Sequence, residues 1–391
     1  MSVKPDLLVI GCDPVGFEIA FAAAGLGARV VLVEQDCPPD PARRARLGAV
    51  GVTLVTARGQ MADRRHFVAD DKRWAPRWIV LANGAIRPEP GIPAGQGPVT
   101  LVLGDGAEAC VEALAASEGG RRVALASPGP FLSLFHRDHV EWLLLHMGAR
   151  GISVIEQCGL PLARTEGEER IRFAGGQSLA ATEIGPVINC LPRMARLDGL
   201  EIGRVVGSPL TPDRGLRLGR SRLFMVGDAL GEADGVPPPR NQIGLVLGQA
   251  LFGKRDRADP TLDLRQVPAR PGLAEFGLTP DRLGEKERNR HRILRATRHP
   301  GGPENKAALL VVTDRRSRVV GASAYGLRAP ELMVPLLLLA RQGLPVTALA
   351  GLGLSVEGED DLLAQIARQP LVDLLKSPAA KGLMRLRRLF G

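Results

Sequence analysis

Asp6-Leu-Leu-Val-Ile-Gly11-Cys-Asp-Pro-Val-Gly16, running on through an alanine-rich stretch to Val30-Val-Leu-Val-Glu34, decides how the rest of the chain is read. An apolar run ends at a glycine, a tight turn follows, a small-residue helix comes next, and a second apolar run closes on an acid. This is the sequence form of a βαβ unit that holds a dinucleotide: the pyrophosphate sits on the helix N-terminus and the acid takes a ribose hydroxyl. Gly11, Asp13, Pro14, Gly16 and Glu34 are therefore candidate cofactor-binding positions.

The usual pattern is Gly-x-Gly-x-x-Gly, and here it reads Gly11-Cys12-Asp13-Pro14-Val15-Gly16. The middle glycine normally lets the ligand's pyrophosphate approach the backbone closely. Asp13 puts a side chain and a negative charge at that place, which leaves the fold expectation intact and works against the ligand.

The pattern recurs. At an offset of 93 residues, Gly11, Gly16, Ala20 and Gly27 map onto Gly104, Ala109, Ala113 and Gly120, and Glu34 onto Ser127. So many small residues in one register imply two tandem dinucleotide folds. The second copy, Gly104-Asp-Gly106-Ala-Glu-Ala109, keeps its middle glycine, and its third position is an alanine that still allows close helix–strand packing. Ser127 in place of the acid, with Arg121, Arg122 and Arg137 nearby, leans towards a phosphorylated ribose, NADPH rather than NADH.

At 391 residues the chain has room for two or three domains. Its 45% hydrophobic and 24% charged residues are ordinary for a globular protein, and no eighteen-residue apolar run predicts a membrane span. The N-terminus enters a strand almost at once, so no signal peptide is expected and the predicted location is the cytoplasm. The net charge of +9 comes mostly from arginine and reads as the residue usage of a GC-rich genome, with no nucleic-acid partner expected. Cys12, Cys37, Cys110, Cys158 and Cys190 form no close pair, which argues against a metal site and for a reducing compartment.

Further along, Trp78-Ile-Val-Leu-Ala-Asn83-Gly84 reads as a buried strand ending in a glycine turn, followed by a proline-rich linker. Leu223-Phe-Met-Val-Gly227-Asp228 is another, followed by a helix over about 241–252. From about Leu264 the pattern becomes α+β, with strands predicted over 307–314 and 319–325 and helices over 331–342 and 359–368. The terminal stretch, Lys381 to Phe390, is short, basic and amphipathic.

Taken in order, these pieces resemble the pyridine nucleotide-disulfide oxidoreductase family, the glutathione reductase and dihydrolipoamide dehydrogenase type, over nearly the whole chain. The stretch from Gly11 to Glu34 is similar to its FAD unit. Leu81-Ala-Asn83-Gly84-Ala85 with Pro90-Gly-Ile-Pro93 is similar to its A-T-G segment and the turn after it, with asparagine for threonine. Gly104 to Ala109 is similar to its nicotinamide-domain glycines, and Val226-Gly227-Asp228 to its G-D motif, whose aspartate binds FAD. The resemblance implies an α/β fold: two tandem Rossmann-like domains, an FAD-type domain over 1–98 and 206–263 and an NAD(P)-type domain over 99–205, then an α+β dimerisation domain over 264–391. It implies FAD, NAD(P)H and a homodimer.

The departures bear on chemistry. The family's redox disulfide follows the first acid in a C-x(4)-C helix, whereas here only Cys37 is present and that helix is largely missing. A single thiol cannot cycle as an intramolecular disulfide. The family's C-terminal acid/base histidine has no counterpart in Leu354-Ser-Val-Glu-Gly-Glu359, and all six histidines precede residue 300. Two functions follow as expectations. One is an FAD-dependent NAD(P)H oxidoreductase passing electrons from the flavin directly to a small-molecule acceptor, with no catalytic side chain assigned. The other is a degenerate homologue that keeps the fold and the dimer and acts by binding or as a scaffold. The basic tail would touch a membrane or a partner.

Overall fold

The computed structural model describes residues 4–34, 39–89, 91–92, 94–158, 170–172, 178–180, 183–207, 210–231, 239–257, 259, 263–299, 306–352, 360–378, 380–382, 384 and 387. Cys37, Pro90, Pro93, the Leu354–Glu359 segment and much of the terminal stretch lie outside them. The chain divides into two compact units, residues 1–88 with 192–260, and residues 89–191 with 261–391.

The first unit is built on a five-stranded parallel sheet. Its spatial order is Leu223–Met225, Trp78–Leu81, Leu7–Ile10, Val30–Glu34, Thr53–Thr56. The central strands are buried at every position, and apolar at all but Glu34, because both faces are covered. Leu7, Val9 and Leu32 pack under the helices Pro14–Gly25 and Pro239–Phe252, through Phe17, Ile19, Val246 and Ala250. Leu8, Ile10 and Val31 face the other way, against Phe67 and Trp74 of a small antiparallel sheet, Gly59–Met61, Phe67–Ala69 and Lys72–Trp74. A helix after the first acid, largely missing by the sequence pattern, is present as Pro41–Ala49. Asp40 caps it and Pro41 starts it.

The second unit carries two larger sheets besides the two-stranded ribbon Arg170–Arg172 with Ser178–Ala180. A four-stranded parallel sheet has the order Ile152–Ile155, Arg122–Ala126, Val99–Leu103, Ile184–Asn189. A five-stranded antiparallel sheet has the order Arg265–Val267, Gly272–Gly277, Val319–Gly326, Ala307–Asp314, His291–Arg298. One face of the latter is covered by the helices Ala329–Gln342 and Asp360–Lys376. The apolar run of the helix Ala329–Gln342 is mostly spent on this core. Leu332, Met333, Leu336 and Leu339 are buried, and of the helix's large apolar residues only Val334 and Leu338 stand well exposed. On the opposite face Leu273 and Tyr325 pack with Cys110, Leu143 and Met147 of the helices Ala107–Glu118 and Arg137–Ala149.

Candidate functional site

The first glycine turn forms as its sequence requires. Gly11 has φ +94°, and a Cβ there would lie 2.2 Å from the Ala82 carbonyl oxygen, so no other residue fits. At Gly16 a Cβ would meet the Ala82 Cβ at 2.5 Å, which is the close helix–strand contact the pattern calls for. Pro14 occupies the first turn of the helix, where its missing N–H leaves nothing unsatisfied.

Asp13 is the N-cap of this helix. Its Oδ1 accepts a hydrogen bond from the Gly16 N–H at 2.7 Å, and its Oδ2 accepts from the Asp228 N–H at 3.3 Å. The carboxylate also fills the space beside Gly227, where a Cβ would come within 2.0 Å of Oδ2. The anion site at the helix N-terminus thus holds an anion that belongs to the chain itself. Burial pushes the Asp13 carboxyl up to about 6, against the lowering by its backbone donors.

The neighbouring groups are likewise turned inward. The buried Glu34 accepts from the Cys12 N–H through Oε2 at 2.7 Å, so one carboxylate oxygen is engaged on the turn. Gly227, at φ +63°, donates to the Gln242 Oε1 at 2.7 Å, and Asp228 pairs with Arg193 at 2.8 Å. Gln242 and Arg193 had no signal in the sequence, because nothing in a single glutamine or arginine marks a partner 15 or 35 residues away.

Beside the turn lies a small cavity of about 20 Å³, lined by Gly11, Glu34, Gly59, Phe67, Asn83 and Arg196 among others. The Asn83 amide is shielded from solvent there and has no hydrogen-bond partner among the described residues. Gly84, at φ +72°, follows it and accepts from the Arg196 N–H. An orphaned amide facing a cavity of that size has room beside it for about one water molecule. The pyrophosphate of FAD does not fit the site as built, since both of its backbone donors and the space next to Gly227 are taken by Asp13.

The second turn is built differently. Gly104 has φ +149°, and a Cβ there would meet the Cys190 carbonyl oxygen at 2.4 Å and Ala109 at 3.1 Å. Gly106 caps the helix Ala107–Glu118 with no side chain. Ser127 is fully buried and donates its hydroxyl to the Gly129 carbonyl at 2.7 Å, so it presents nothing to a ribose phosphate. Arg121 and Arg122 stand at the start of the strand that Ser127 follows, and Arg137 is paired with Glu156 and Glu141. The sequence lean towards NADPH finds no support in this arrangement.

A buried polar network lies elsewhere in the same unit. His139 shares a hydrogen bond with the Ser323 Oγ at 2.7 Å through Nδ1, and the His136 N–H donates to Glu275 at 2.7 Å. Arg265 pairs with Glu275, and the His136 ring with Asp281. Burial drives His139 down to about 3 and raises Glu275. His139, Glu275 and Ser323 have almost no solvent exposure, so this is a joint between the helix Arg137–Ala149 and the antiparallel sheet rather than a reaction centre. Among the described residues the four cysteines are buried and form no disulfide, and no cluster could hold a metal ion.

No family profile matches the sequence, and no curated protein matches it. Solved structures do. LpdA from Mycobacterium tuberculosis superposes with a TM-score of 0.74 at 16% identity, covering 94% of this chain and 99% of its own. The Cu(II) complex of RclA from Escherichia coli, described as an HOCl-induced flavoprotein disulfide reductase, gives 0.71 at 16% identity with the same coverage. The fold is that of the flavoprotein disulfide reductases over nearly the whole chain, as the resemblance implied.

Proposed function

We propose that this chain is a homodimeric nicotinamide-dinucleotide-binding protein on the flavoprotein disulfide reductase fold, with its flavin site held shut by its own Asp13. The observation that carries this is the contrast between the two turns. The N-terminus of the first helix is occupied by a carboxylate that takes the N–H groups of Gly16 and Asp228. The N-terminus of the second is capped by Gly106, which has no side chain to put there. A helix N-terminus favours an anion through its unpaired N–H groups and its dipole, so the second turn is the one left for a pyrophosphate. Gly104, Gly106 and Ala109 would hold it.

A second function has its own support. The Gly11 turn and the orphaned Asn83 amide line one small cavity in the first unit, and Asp13 ties the adjoining Gly227–Asp228 turn to the same helix. If Asp13 withdrew, these residues would hold a flavin nucleotide. The protein would then be a flavoprotein oxidoreductase whose cofactor passes electrons directly to a small acceptor, since no thiol pair stands in the described residues to relay them.

The purified protein decides between them. Nicotinamide-dinucleotide binding by calorimetry, in a colourless preparation that takes up no added FAD, supports the first. A yellow preparation with stoichiometric flavin sinks it in favour of the second. Binding of neither leaves the scaffold alternative.

A further inference from the structure

We infer that the exposed second half of the helix Asp360–Lys376 docks on an anionic lipid surface. The helix Asp360–Lys376 has two halves. Leu362, Leu363, Ile366 and Ala367 are buried in the core of the antiparallel sheet. After Pro370 no residue up to Lys376 is covered: Leu371, Leu374 and Leu375 stand 40%, 65% and 68% exposed. Spaced i, i+3 and i+4, these three share one face of the helix. Met384, further on, is 58% exposed.

Charge selects the occupant. From Lys376 to Gly391 the sequence carries five basic residues, Lys376, Lys381, Arg385, Arg387 and Arg388, and no acid. Leu383, Met384, Leu386, Leu389 and Phe390 are interleaved with them. Exposed leucines beside a cationic run suit the boundary of an anionic bilayer, where apolar side chains enter the acyl edge and lysines and arginines meet the headgroups. A second copy of the chain is the poorer partner, because an isologous contact would bring two such cationic runs together. No helix among the described residues is long and apolar enough to cross a membrane.

The test is flotation of the full-length protein with vesicles of phosphatidylcholine alone and of phosphatidylcholine with phosphatidylglycerol, at low and high salt. The expected result is recovery with the anionic vesicles only, weakened by salt, and reduced at least about tenfold in partition coefficient by Leu374→Glu with Leu375→Glu. Both positions are exposed, so the variant should melt like the wild type, and circular dichroism checks this. No recovery with anionic vesicles at low salt overturns the inference. So does a wild-type dimer that the double variant converts to a monomer without any vesicle binding, which would assign the face to contact between copies.

Discussion

Replacing Asp13 by glycine should open the first unit to FAD, and the size of the gain says how the carboxylate blocks it. Two limits bracket the effect. If the side chain stays where it is, a phosphate charge about 4 Å away meets a repulsion of about 4 kcal/mol at an effective dielectric near 20. That is about a thousandfold in affinity. If instead the side chain swings out when the ligand arrives, the loss is that of an N-cap, about 0.5–2 kcal/mol, or roughly 2- to 30-fold. The oxygens of Asp13 occupy the donor positions on Gly16 and Asp228 rather than standing off from them, which favours the larger figure.

Titration of wild type, Asp13→Gly and Asp13→Asn with FAD, followed by flavin fluorescence, separates the parts. Asp13→Asn removes the charge but leaves the bulk beside Gly227, so it should gain less than Asp13→Gly. The pH dependence is a second readout. The Asp13 carboxyl sits at about 6 in the fold, so it loses its charge as the solution falls from pH 7.5 to 5. Over that window FAD affinity should rise for the wild type and stay flat for Asp13→Gly. Equal, tight binding by wild type and Asp13→Gly at pH 7.5 would refute the reasoning and make the flavoprotein oxidoreductase the leading function.

Three further expectations can be checked independently. Val334→Glu with Leu338→Glu, on the exposed side of the helix Ala329–Gln342, should convert a dimer into a monomer by light scattering, with the melting temperature of the fold largely kept. The protein should not turn over lipoamide, glutathione disulfide or mercuric ion through a thiol relay: NADH and NADPH oxidation assays should read background, and activity abolished by Cys37→Ser would contradict this. His139 sits near 3 in the fold against 6.5 in a free chain, so the unfolded state binds the extra proton and stability falls as pH drops from 6.5 towards 3; Ser323→Ala, which leaves the His139 ring without its partner, should cost about 1–3 kcal/mol in urea denaturation.

The parts of the fold with strong apolar periodicity were legible. Both βαβ units, the strand Trp78–Leu81, the strands Ala307–Asp314 and Val319–Gly326 and the helix Ala329–Gln342 stand where the pattern put them, within a few residues. The three-residue strands between Gly59 and Trp74 were not, because each has too few positions to show an alternation. His291–Arg298 was hidden by its three arginines, Arg292, Arg295 and Arg298, although its inward side chains Leu294 and Ala296 do alternate. The His139–Ser323 and His136–Glu275 bonds join residues 184 and 139 positions apart, and no local signal could have announced them.

Asp13 was visible in the sequence, but its consequence was not. A charged residue in the middle of a glycine turn suggests a damaged turn. The backbone at Asp13 has φ −61° and ψ 167°, an extended conformation open to any residue, unlike Gly11 at +94°. The missing glycine is thus a requirement of the ligand's approach and not of the chain. A helix N-terminus next to a second turn leaves N–H groups that need an acceptor, and a bound pyrophosphate normally supplies it. Asp13 supplies it from within, at 2.7 Å and 3.3 Å, and so joins the Gly11 turn, the first helix and the Gly227–Asp228 turn. One residue thus both completes the turn and fills the helix N-terminus where, under the proposed function, a flavin's phosphate would otherwise sit.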